Sequence, residues 1–68
     1  MAKLADKFAS NLKSERLRRR LSQEALAWKA QLSVSYISML ERGQRSPPLN
    51  TIELLAKALA VAPTHLLA

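Results

Sequence analysis

Apolar residues in this chain recur at intervals of three and four, and the 68 residues include one glycine and three prolines. That interval is the helical one, and with so few turn residues and strong strand formers almost no room is left for hairpins. The expectation is an all-α chain, read as one domain over residues 1–68. Leu4, Phe8 and Leu12 recur every four residues, Arg16 continues their stripe and Leu17 lies beside it, which predicts a first helix over Leu4–Arg19. Ser22 can accept an orphan backbone N–H ahead of a second helix ending near Ala30, and Ser33 can do the same for a third. Gly43 can supply the left-handed residue that closes the third helix. Leu49, Ile52, Leu55, Ala56 and Leu59 mark a fourth, begun either by Pro48 or by a capping box of Asn50 and Glu53. Pro63 ends it and can open a short fifth helix, Pro63–Leu67.

A domain this small buries only about 60% of its unfolded surface, so a large catalytic cleft is not expected. His65 has no Ser, Cys or paired carboxylate near it in sequence and Asp6 is remote, so no catalytic constellation is present and the chain reads as no enzyme. With no cysteine and one histidine, neither a disulfide framework nor a zinc centre is expected, and no cofactor. Ala58–Ala62, the longest uncharged apolar run, falls far short of the roughly 20 residues that span a membrane. The N-terminal "MAKLADKF" lacks a signal-peptide core. These features predict a soluble, cytoplasmic protein. Eleven Lys and Arg against five Asp and Glu give a net charge of +6, which attracts a polyanion such as nucleic acid or an anionic membrane.

The stretch "SQEALAWKAQLSVSYISMLERG" narrows that choice. At about 100° per residue, Ser38, Arg42, Ser35 and Met39 fall on the same side of the third helix as Val34, while Tyr36, Ile37 and Leu40 fall opposite. Serine is an average helix former at best, and a helix showing small side chains outward lets its backbone come close to whatever it touches. The preceding "AQLS" has the length of the tight turn in a helix-turn-helix, and Ala27 allows a close crossing. Such a helix fits a major groove about 12 Å wide. The competing reading is a solvated surface helix in a five-helix bundle. On helix two, Trp28 and Lys29 face outward or sit at the motif's rim, where Trp28 reads as covering core rather than stacking on a base.

From Leu12 to Leu59 the chain resembles the Cro/C1-type, or XRE, helix-turn-helix domain. Leu26, Ala27, Ala30, Leu32, Ile37 and Leu40 fall on that motif's apolar or small positions, with "KSERLRRRLSQEALA" in the place of helices one and two. The resemblance implies a compact five-helix, lambda-repressor-like fold with the motif in helices two and three. It implies that Gln23 holds a DNA phosphate with the dipole of helix two. Val34, Ser35 and Met39, with Ser38 more weakly, would read base edges; Arg42, Gln44 and Arg45 would grip phosphates, as would Ser33 and Tyr36. Arg16 and Glu41 would form a partly buried ion pair. Arg19, in the run Arg18–Arg20, is either a further phosphate contact or part of a solvated helix end.

Arg20 and Gln31 stand where the family usually has glycine, at a cost of roughly 1–2 kcal/mol for a left-handed residue. Valine and methionine offer only apolar contact, so direct readout should be modest and DNA shape should carry more of the choice. Val61, Leu66 and Leu67 would pair two copies into a C2 dimer on a palindromic operator, unless those leucines close the monomer's own core. The function expected is a sequence-specific regulator binding double-stranded DNA as a homodimer, with no small-molecule effector. The competing function is a protein-interaction module such as an antitoxin-type adaptor.

Overall fold

The computed structural model describes residues 3–68. They form α1 (Leu4–Arg18), α2 (Gln23–Ala30), α3 (Val34–Glu41) and α4 (Leu49–Leu59), followed by a 3-10 turn, Pro63–Leu66. The fold is all-helical, with four α-helices rather than the five expected. The turn that Pro63 opens closes through i to i+3 spacing, with the His65 N–H donating to the Ala62 carbonyl at 2.9 Å and the Leu67 N–H to the Thr64 carbonyl at 3.0 Å. Runs of that length are the usual province of the 3-10 form.

The two serines terminate helices as expected. Ser22 Oγ accepts the Ala25 N–H at 3.0 Å, and Ser33 Oγ accepts the Tyr36 N–H at 3.1 Å. At α4 the N-cap is Pro48, so Asn50 and Glu53 lie inside the helix and form no capping box. Helix ends close through left-handed residues, Gly43 at φ 70° and, without glycine's freedom, Arg20 at 55°, Gln31 at 59° and Ala60 at 58°. Beyond Gln31, the Leu32 N–H returns to the Ala27 carbonyl at 2.9 Å, which satisfies a helix-end acceptor and holds the strained residue in place. Gln31→Gly is expected to stabilise the domain by roughly 0.5–1 kcal/mol, the relief of strain outweighing the freedom glycine adds to the unfolded chain. A thermal melt should show a rise of roughly 4–8 °C per kcal/mol; an unchanged or lower midpoint would refute the strain.

Phe8, Leu12, Leu26, Ile37, Leu40, Leu55, Leu59 and Leu66 are completely buried, with Ala27, Ala30 and Ala56 where helices pass closely. α2 packs on α3 and α4, while α1 rests on α3 and the C-terminal turn. Three readings are corrected here. Leu66 is 0% exposed and belongs to the monomer's own core, so it cannot pair two copies; the turn after Pro63 aims it inward. Trp28 is 84% exposed and covers no core, because the inner face of α2 is filled by Leu26, Ala27 and Ala30. Leu4 and Leu49, read as parts of apolar stripes, lie at helix starts and are exposed. Asn11 Nδ2 donates to the Leu66 carbonyl at 3.0 Å, tying the end of the fold to α1.

Candidate nucleic-acid interface

Ile37 and Leu40 sink one side of α3 into the core, and that anchorage decides what the other side shows. Val34 and Ser35 are exposed, Ser38 and Met39 are half-buried beside them, and Tyr36 is half-buried at the edge. Arg42, Gln44 and Arg45 follow as exposed residues in the turn leaving α3. That turn is fixed by the Gly43 N–H on Leu40 and the Gln44 N–H on Met39, at 3.2 and 3.0 Å. Glycine suits position 43 because its φ is positive; a Cβ there would also meet Asp6 Oδ1 at 2.8 Å, the end of an exposed side chain that would have to swing aside. Ser33, whose oxygen caps α3, keeps its hydroxyl hydrogen as a donor.

At the other edge, the N-terminus of α2 carries Gln23. Its Nε2 donates to Glu41 Oε1 at 3.1 Å. Glu41 also accepts Arg16 Nε at 2.7 Å and the second guanidinium nitrogen at 3.0 Å, and Arg16 donates to the Leu21 carbonyl at 2.9 Å. The two side chains are 10% and 3% exposed, so α1, α2 and α3 meet at a buried charge pair. The bond to Glu41 holds the Arg16 guanidinium above its usual pKa.

Arg19, read either as a phosphate contact or as part of a solvated helix end, has a partner within the protein. Its guanidinium is held by the Glu15 carboxylate at 2.5 Å and the Glu15 carbonyl at 3.1 Å. The same carboxylate takes Arg18 at 3.2 Å and lies 2.9 Å from His65 Nε2 on the C-terminal turn. The spacing of Glu15 to Arg18 and Arg19, three and four along a helix, could have revealed the first two partners; nothing local in sequence points to His65. The hydrogen bond from Arg19, followed by that from His65, pulls the Glu15 carboxyl down to about 2, against the effect of burial. A carboxyl lowered in the folded state binds fewer protons than in the unfolded one, so its contribution is complete above about 4.5 and is lost as pH falls towards about 2. Glu15→Gln should therefore flatten the fall in melting temperature across that window. Parallel curves for the two proteins would show that the cluster does not contribute.

Among the described residues, no three His, Cys, Asp or Glu side chains are grouped to hold a metal ion. No helix of the described residues is long and apolar enough to cross a membrane.

Two short helices joined by Gln31, Leu32 and Ser33, the second exposed along its outer face and flanked by donors at both edges, constitute a helix-turn-helix. The helix-turn-helix family model matches residues 12–66. The chain belongs to that family, of the XRE or Cro/C1 type. It is 49% identical over 47 residues to the control protein C.BamHI of Bacillus amyloliquefaciens, covering 69% of this chain and 58% of that protein. It is 44% identical over 50 residues to the immunity repressor protein of Bacillus phage phi105, covering 74% of this chain and 35% of the other. The chain thus spans little more than half of one of these relatives and about a third of the other. In structure it is similar to the restriction-modification controller protein C.AhdI from Aeromonas hydrophila, with a TM-score of 0.88 and 42% identity, over 91% of this chain and 94% of that one.

Proposed function

We propose that the protein is a sequence-specific regulator of transcription that lays α3 in the major groove of double-stranded DNA. The observation that carries this reading is the outer face of α3, with Val34, Ser35, Ser38 and Met39 unobstructed between two sets of donors. On one side stand Gln23 and the N-terminus of α2, whose dipole favours a phosphate. On the other stand Arg42, Gln44 and Arg45, with Ser33 and Tyr36 at the start of α3. Apolar Val34 and Met39 suit thymine methyl groups, and the serines read several bases weakly, so groove shape contributes much of the choice.

Two copies binding together would read two half-sites about 34 Å apart on a palindromic operator. With Leu66 committed to the core, the face for pairing is apolar surface around Leu67, Leu49, Ile52 and Pro63, whereas Val61 lies apart from it, in the hollow beside Glu15, Arg18, Arg19 and His65. No effector is needed in this reading: concentration and dimerisation set occupancy, in the cytoplasm of a bacterium or of a phage's host. The names of the bacterial and phage relatives support a controller or repressor role. The adaptor reading, in which the serine face of α3 and the C-terminal leucines bind another polypeptide, loses Leu66 to the core and gains the exposed Trp28, tryptophan being a frequent anchor for a partner polypeptide.

The test selects duplexes from a random pool and titrates the best against random DNA at several salt concentrations. A regulator loses affinity with a slope near −0.9 per phosphate contacted. Ser35→Ala with Met39→Ala should erode the preference and leave random binding alone, whereas Arg42→Ala should weaken both. Selection of no common sequence would refute the proposal.

A further inference from the structure

We propose that Glu41 is a positioning residue for DNA binding: it fixes the polarity of the Gln23 carboxamide so that an N–H, and not the carbonyl oxygen, is offered to a phosphate. The inference rests on the reading of Gln23 as a phosphate contact. A glutamine amide presents a donor and an acceptor of nearly the same shape, whereas a phosphate oxygen only accepts. A free Gln23 would therefore offer the wrong group in part of its population. Glu41 removes the ambiguity. Its ionised carboxylate can only accept, so the 3.1 Å contact must be made by the amide nitrogen, and the flipped amide would set a carbonyl against a carboxylate. The nitrogen carries two hydrogens; one is taken by Glu41 and the second remains for another acceptor.

Arg16 makes this arrangement rigid. It contacts both oxygens of Glu41, at 2.7 and 3.0 Å, and is itself held by the Leu21 carbonyl at 2.9 Å. With Glu41 3% exposed, water does not compete for the carboxylate, and the rotamers of Gln23 are restricted before DNA arrives, which lowers the ordering cost on binding. Glu41 is also the last residue of α3. The ion pair therefore sets the position of the backbone contact on α2 relative to the reading helix itself.

A double-mutant cycle on a selected duplex tests this, using the full chain, Gln23→Ala, Glu41→Gln and the two together. Glu41→Gln keeps size and shape but can present either end to Gln23. It should weaken binding roughly three- to tenfold in the otherwise unaltered protein and less than twofold when Gln23 is already alanine. Equal losses in both backgrounds, or none in either, would overturn the proposal. If Gln23→Ala costs nothing, the phosphate reading of Gln23 has failed and this inference falls with it. Should Glu41→Gln fail to fold, NMR of the unaltered protein decides. A Gln23 side-chain amide as ordered as the helix backbone, with one of its two protons displaced by the hydrogen bond to Glu41, supports the proposal; a mobile amide with the shifts of a free glutamine overturns it.

Discussion

Leu66→Ala should destabilise the domain by about 2–5 kcal/mol, on the order of half of the roughly 3–10 kcal/mol that is ordinary for 68 residues. The side chain is wholly enclosed, and its removal leaves a cavity among leucines that cannot all collapse inward. The backbone of the same residue accepts from Asn11, so the segment that carries it is already tethered and has little freedom to close the gap. A urea melt at several protein concentrations gives the decisive comparison. Loss of a core residue shifts the midpoint equally at every concentration, whereas loss of an intersubunit contact shifts it by mass action. A concentration-dependent shift would return Leu66 to an interface and contradict its burial.

Arg16→Met should be of similar severity, about 3–5 kcal/mol, because it leaves the Glu41 carboxylate enclosed without its counter-charge and strips the Leu21 carbonyl of a donor. Replacing both members, as Arg16→Met with Glu41→Leu, should recover much of that stability, since an apolar pair of similar volume avoids the desolvation of two ions. DNA affinity should not recover with it, because Gln23 then has nothing to orient it. Chemical denaturation measures the first result and duplex titration the second. If Arg16→Met melts where the parent does, the pair contributes nothing to the fold.

Local physics made much of this structure legible. Ser22 and Ser33 each stand before a run that can only be helical, and their hydroxyls cap it, so α2 and α3 begin where the sequence places them. The burial of Ile37 and Leu40 follows from helical periodicity, and exposure of Val34 and Ser35 follows from theirs. What escaped depends on direction in three dimensions. Leu66 and Leu67 are neighbours of identical chemistry, and only the path taken after Pro63 decides that the first points inward. The Glu15 partner of Arg19 was passed over because the run of three arginines is conspicuous, while the single acidic residue four before it is not. Trp28 was misjudged because its size suggested burial, although its position on α2 is remote from Leu26 and Ala30. The pairing of Glu15 with His65 spans fifty residues and has no local signature.

One consequence follows from where α1 rests. Its partners are α3 and the Pro63–Leu66 turn, both made later, so during synthesis Phe8 and Leu12 emerge from the ribosome with nothing to cover them. α1 waits for residue 66 before its inner side is sealed. Folding of the nascent chain is thus a single late event, and a polypeptide stalled before that point carries bare leucines and a phenylalanine, a substrate for chaperones and proteases rather than a partial regulator.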